Sequence, residues 1–289
     1  MKKSLFIIAI SAFFATSIYA GGPWPQAKGH GYFKLSEWWT VFDQHYTDQG
    51  LIDPNVTTGV FNTSIYAEYG FTDRLTGVVN APFFSRNFMN NLLSQTTNEL
   101  IVAGEAINTF GDVDLSLKYG LSQPGSKIPV ALTVGVGLPT GTASGGSQGN
   151  LQTGDGEFNQ FIQLDAGGGF NLGNLPGYAS GYVGFNNRTK DFSEEFRYGL
   201  ELGLATPNRK LWLVSKLTAV ESFKNGATAE TITSTSLFAN NTEFVSIGIE
   251  ASFYIKENFG VTAGVASAFR GEVIAAAPSY TVGIFYQLN

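Results

Sequence analysis

The chain has 289 residues with no cysteine, 35 glycines, 24 phenylalanines and 12 tyrosines, and only 14% charged residues at a net charge of -6. Zero cysteines exclude a disulfide scaffold, thiolate metal sites and cysteine nucleophiles, and the lack of a basic tract or basic-aromatic patch excludes nucleic acid as a partner. A globular domain of this length usually carries about 25% charge, and with no apolar run of spanning length after the first residues, any membrane route must be by strands.

The first element is an export signal. Lys2 and Lys3 form a positive n-region, Leu5 to Phe14 an apolar h-region, and small or neutral residues run to Ala20. This predicts a secretory signal peptide at 1–20, cleaved after Ala20, and an outer-membrane domain at 21–289. The h-region is shorter than the ~20 residues a spanning helix needs, and Gly21-Gly22-Pro23 would break any continuation. No cysteine follows, so no lipid anchor forms. Losing Lys2 and Lys3 takes the net charge from -6 to -8.

Period-two alternation then predicts twelve strands (10–14 by the spread of boundaries), near 30–42, 56–70, 75–85, 111–121, 128–138, 156–170, 176–187, 194–205, 210–221, 242–255, 259–270 and 278–288. In the fourth, Val113, Leu115, Leu117 and Tyr119 oppose Asp112, Asp114, Ser116 and Lys118. In the eighth, Phe196, Tyr198, Leu200, Leu202 and Leu204 oppose Glu195, Arg197 and Glu201. The first strand is the least regular: Glu37 falls on the face of Phe33, Leu35 and Trp39, which predicts a bulge or a shifted register there. Connections after even-numbered strands are tight, whereas the odd-numbered ones include the long segments 43–55, 86–110, 139–155 and 222–241. Short turns on one side and long loops on the other predict an all-β, antiparallel up-and-down transmembrane barrel with both termini in the periplasm.

Three features favour a membrane barrel over a soluble one. Strands of about 11–12 residues match a tilted crossing of the hydrocarbon layer. Aromatics gather at both strand ends, for example Tyr69, Tyr119 and Phe170 at the short-turn end and Phe61, Phe158 and Tyr280 at the other. A dozen strands also enclose a lumen too wide for aliphatic side chains to fill, so the polar face belongs inside.

On this register the lumen receives Lys34, Glu68, Asp112, Asp114, Lys118, Asp165, Arg197, Glu201, Lys216, Glu250 and Arg270. Mixed charges on neighbouring strands read either as a field that selects solutes or as ion pairs that fill a narrow barrel. Inward glycines such as Gly120, Gly135, Gly199 and Gly203 either leave free space or relieve curvature. In segment 86–110, Thr96 to Glu99 fits a capping box, with Leu100, Ile101, Ala103, Ala106 and Ile107 at helical spacing. A short helix is therefore expected there, with Glu99, Leu100, Ile101 and Ile107 forming a constriction, or else packing over the rim. Enzyme signals are weak. The only histidines, His30 and His45, lack metal-ligand spacing, and no nucleophile elbow or phosphate loop occurs. A phospholipase-like barrel using either histidine stays as a minor alternative; no catalytic residue and no cofactor are expected.

Four stretches carry a family likeness: Tyr69-Gly-Phe-Thr-Asp-Arg-Leu75, Gly111-Asp-Val-Asp-Leu-Ser-Leu-Lys-Tyr-Gly120, Val134-Gly-Val-Gly-Leu-Pro-Thr-Gly141 and Thr153-Gly-Asp-Gly156. Their order resembles the outer-membrane barrels of the family named for the MetA pathway of phenol degradation, over roughly residues 56 to 205. The resemblance implies a passive channel or transporter of porin-like type in a Gram-negative outer membrane. The expected partners are the lipid bilayer, a small-molecule solute and the barrel-assembly machinery, for a monomer or small homo-oligomer. The competing expectation is a closed structural or partner-binding barrel with an ion-paired lumen. The chain ends Phe285-Tyr-Gln-Leu-Asn289, so its last apolar alternation stops one residue short of the aromatic terminus common in such proteins.

Overall fold

The computed structural model describes residues 21–227 and 238–289; the expected signal peptide and the middle of the 222–241 connection lie outside them. The barrel strands are β1 (Gly31–Tyr46), β2 (Ile52–Gly70), β3 (Leu75–Met89), β7 (Val113–Gly120), β8 (Val130–Leu138), β9 (Asn159–Leu172), β10 (Leu175–Arg188), β11 (Glu195–Ala205), β12 (Leu211–Ser222), β13 (Glu243–Lys256), β14 (Phe259–Glu272) and β16 (Ser279–Leu288). Each pairs antiparallel with its sequence neighbours, and β1 pairs with both β2 and β16, which closes the cylinder at twelve strands. Closure leaves no unpaired edge for lipid to meet. Short pieces β4 (Leu92–Leu93), β5 (Leu100–Val102), β6 (Glu105–Thr109) and β15 (Ile274–Ala275) extend the long-loop end. No helix among the described residues is long and apolar enough to cross a membrane.

The alternation sorts the wall as expected. Leu35, Ile65, Leu117, Ile162, Leu200, Ile249 and Ile284 are exposed on the outer face, while Glu68, Thr76, Asp165, Thr262 and Gln287 are buried inside. Outward apolar and inward polar is the arrangement stable in a bilayer, and the barrel resides in the outer membrane.

Glu37 departs from expectation. It stays on the outer face in unbroken register, opposite Thr63 and Val282. Its carboxylate accepts a 2.6 Å hydrogen bond from the Thr63 hydroxyl, and this partner lets the strand keep its register. The irregularity in β1 lies higher, between Phe42 and Gln44.

Segment 86–110 forms strands, not a helix. β3 spans 15 residues and β7 only 8, so the upper half of β3 offers an open edge, and β6 fills it from Glu105↔Met89 to Thr109↔Ser85. β6 and β7 are thus two halves of one strand, interrupted at Phe110 to Asp112. The residues of the expected capping box serve a tight turn instead. Thr97 N donates to Ser94 Oγ at 3.2 Å, and Asn98 takes φ 58°. Edge pairing supplies a bond per backbone group, whereas an isolated short helix in water is marginal.

Candidate functional site: the lumen and the segments that close it

Ahead of β1, residues 21–30 turn into the short-turn end of the barrel and cross it. Gly29 N donates to Gly70 O at 2.9 Å and Lys28 N to Asp73 Oδ1 at 3.0 Å, anchoring the segment beside the β2–β3 turn. Gln26 N donates to Thr76 Oγ1 at 2.8 Å, and its side-chain amide donates to Glu68 Oε2 at 2.7 Å. Trp24 meets Tyr178 edge-on with ring centroids 5.5 Å apart, on the far wall. The barrel makes room with residues that lack side chains. A Cβ on Gly120 would come within 2.9 Å of Pro25 Cγ, and one on Gly167 within 3.1 Å of Pro23 Cγ. A cavity of about 490 Å³ remains at this mouth, lined in part by Trp24, His30, Asp73 and Pro129.

Inside, the charges sort into two groups on opposite walls. On one, Glu68 (0% exposed) lies 3.2 Å from Lys118 Nζ and also accepts from Gln26 and Tyr66. Asp165 (2% exposed) accepts from Gln163 at 2.9 Å. On the other, Glu250 lies 3.1 Å from Lys34 and 3.7 Å from Lys216, which is 3.8 Å from Glu201; the Tyr178 hydroxyl donates to Glu201. Against this second group sits a cavity of about 80 Å³ lined by Tyr32, Tyr178, Trp212, Tyr254, Phe285 and the Glu201–Lys216–Glu250 chain, among others. Asp114 and Arg197 also face inward, higher in the barrel.

The glycines do not leave the lumen empty. A Cβ on Gly203 would fall 2.1 Å from the Tyr178 ring, one on Gly199 2.4 Å from Tyr182 and one on Gly135 2.3 Å from Phe161. Rings from paired strands lie over them, which shields backbone that a bare glycine would expose.

At the long-loop end, Arg188 is a hub missed by the sequence reading. It contacts Asp155 at 2.9 Å, Glu157 at 3.0 Å and Glu195 at 2.8 Å, and stacks on Phe192 at 4.4 Å. Arg197 joins through Glu195 at 2.6 Å. The inward face assigned to Glu195 was a usable signal, whereas the meeting of Arg188 with two loop carboxylates was not. Loop 139–158 folds inward here: Leu151, Thr153 and Glu157 are buried, and Gln152 O accepts from the inward Asn87 side chain at 2.6 Å. This loop, not 86–110, covers the mouth; Leu100 and Ile101 are exposed, Glu99 sits in the β4–β5 turn, and Ile107 lies under Gly145.

Asp112 sits in the break between β6 and β7, binding loops and not lining free space. Its Oδ1 accepts from Gly141 N at 2.8 Å and its Oδ2 from Asp155 N at 3.0 Å. Burial pushes its carboxyl up to about 6 despite the two amides, and the nearby Asp155 carboxylate adds to the rise. The stretches that carry the family likeness therefore meet in space. Gly111 and Asp112 touch Thr140, Gly141 and Asp155, and Arg74 Nε donates to Gly120 O at 2.9 Å.

Arg270 is a correction. A register shift between Val245 and Ser246 pairs it with Val245 on the outer face. There it lies 3.2 Å from Glu221 and 3.7 Å from Glu243, at the rim and outside the lumen. A bulge flips every later side chain of its strand, and alternation alone cannot place it. His30 lies at the short-turn mouth and His45 at the opposite end of β1, paired with Ala275 and Asp53, so they cannot share one site. No cluster of metal-ligand type occurs among the described residues.

A scan against protein-family models and a search of curated proteins return no match. Among solved structures, the chain is similar to the COG4313 outer membrane channel from Pseudomonas putida F1, at 14% identity and a TM-score of 0.55 over 94% of this chain and 100% of that one. It is also similar to the translocator domain of the autotransporter NalP from Neisseria meningitidis, at 11% identity and a TM-score of 0.51 over 90% and 89%. The outer-membrane barrel fold is thus shared with a channel and a translocator.

Proposed function

We propose that this barrel is a passive outer-membrane channel or transporter for small, hydrophobic or weakly polar solutes. The observation that carries this reading is the lining of the inner cavity beside Glu201 and Glu250, where aromatic rings surround carboxylates already matched by Lys34 and Lys216. Neutralised charge gives no strong field for selecting ions, and rings with few polar tips suit weakly polar molecules. The barrel is not an enzyme on this reading, and the separation of His30 from His45 supports that. It is inserted by the barrel-assembly machinery and works as a monomer or small homo-oligomer.

The test is solute flux into liposomes holding the purified, folded barrel, with single-channel recording alongside. Flux that favours weakly polar over charged solutes of equal size supports the proposal; a folded barrel with neither flux nor conductance overturns it. One observation favours a second reading, a closed barrel whose loops bind partners: residues 21–28 fill the periplasmic end and loop 139–158 the other. Charge reversal at Lys118 and Asp165 separates the two, because a pore changes ion selectivity and a closed barrel only loses stability.

A further inference from the structure

Gly21 N lies 3.0 Å from Glu68 Oε1, inside the barrel and against a carboxylate with no solvent exposure. The expected signal-peptide cleavage breaks the bond that joins this nitrogen to Ala20. Hydrolysis of the Ala20–Gly21 peptide bond by one water leaves a carboxylate on Ala20 and an ammonium on Gly21, so the amide donor becomes a cation.

The charges around it call for one. Glu68 and Asp165 are both buried carboxylates on this wall, and Lys118, between β3 and β8, is the cation set against them. Two negative charges and one positive leave a net of -1 in a region where an unmatched buried charge is expensive. Asp165 Oδ2 has no hydrogen-bond partner of good geometry among the described residues. The segment that follows Gly21 runs beside this carboxylate: Pro23 lies against Gly167, two residues along β9, and Gly22 beside Ser180 on β10.

We infer that Glu68 is the binding site for the mature chain's own α-ammonium, and that export processing creates the group which latches residues 21–28 into the lumen. Glu68 then has four donors, namely the Gly21 ammonium, Lys118 Nζ, Gln26 Nε2 and Tyr66 Oη, and the wall is electrically neutral. Before cleavage the same nitrogen carries no charge, so the latch lacks its ion pair until the protein is processed. This goes beyond the channel reading and does not depend on it.

The experiment uses the full protein matured in the outer membrane and purified folded. Intact mass reports whether the mature chain begins at Gly21. Acetylation of the α-amine by an amine-selective ester at neutral pH, read on the N-terminal peptide, is compared in the folded barrel and in urea. The ammonium held by Glu68 is expected to react about tenfold more slowly in the folded barrel than in the unfolded chain. Glu68→Gln is expected to abolish that protection, and Glu68→Asp to retain part of it. Inserting two alanines between Ala20 and Gly21 moves the amine away while leaving Glu68 its other partners, so it decides the matter if Glu68→Gln does not fold. A mature chain starting elsewhere, equal rates in folded and unfolded protein, or unchanged protection in the extended variant each overturns the inference. Neither readout involves solute flux, so failure here is distinct from failure of the channel reading.

Discussion

A side chain on Gly70 would stand 2.1 Å from the carbonyl oxygen of Ala27 and 2.5 Å from that of Gln26. The last residue of β2 therefore owes its identity to the segment that crosses the lumen beside it, not to the strand. Gly70→Ala is expected to leave the barrel folded but push residues 21–28 out of place. Conductance in planar bilayers should rise several-fold relative to the wild type on the channel reading. Unchanged conductance with a normal folded gel mobility would show that this segment does not limit passage.

Arg188 ties Asp155, Glu157 and Glu195 together. Arg188→Ala leaves Asp155 and Glu157 without their cation, and Glu195 with Arg197 alone, and the expected cost is about 3–5 kcal/mol. The loss should appear first in loop 139–158 as faster cleavage by added protease, with the barrel itself still resistant. Equal cleavage rates would mean the hub contributes nothing to loop order.

Glu37 sits on the lipid face with Thr63 as its hydrogen-bond partner. A charged residue on that face costs up to ~2–4 kcal/mol at mid-bilayer and less for a carboxylate, so Glu37→Leu is expected to stabilise the barrel by about 1 kcal/mol. Unfolding in urea from lipid vesicles measures this. A destabilised Glu37→Leu barrel would show that the Thr63 hydrogen bond outweighs the cost of the carboxylate on the lipid face.

Asp112 carries a pH dependence of definite sign. Its folded value near 6 lies above the ordinary carboxylate value, so the folded chain binds more protons than the unfolded one between about pH 4 and 6. This group's contribution therefore favours folding at low pH and is lost as pH rises through 6, on the order of 1–2 kcal/mol once solvent screening is allowed for. Asp112→Asn should flatten the melting profile over that interval while the wild type declines. Parallel profiles would remove Asp112 as the source.

Much of this architecture was legible because a barrel wall obeys a local rule. Each strand shows one face to lipid and the other to the lumen, so alternation in Val113 to Tyr119 or Phe196 to Leu204 places every side chain without knowledge of its neighbours. The strand count, its even parity, the side carrying short turns and the inward placement of Lys34, Glu68, Lys118, Asp165, Glu201, Lys216 and Glu250 all follow from that rule. It fails where strands slip. Arg270 was misplaced because the shift at Val245/Ser246 depends on how β13 and β14 fit together. The helix expected after Thr96 gave way to strands because β3 outruns β7, a mismatch set by pairing and not by the loop's own composition.

Sequence by itself determined the outer-membrane barrel, its twelve strands and the polar character of its interior, since period-two burial is a property of each strand alone. Only the tertiary structure decided which charges meet, that rings cover the inward glycines, that loop 139–158 closes one end, and that residues 21–28 close the other with Gly21 N on Glu68. Those contacts join residues dozens of positions apart, and their geometry comes from the curvature and register of the closed cylinder, which no single segment encodes.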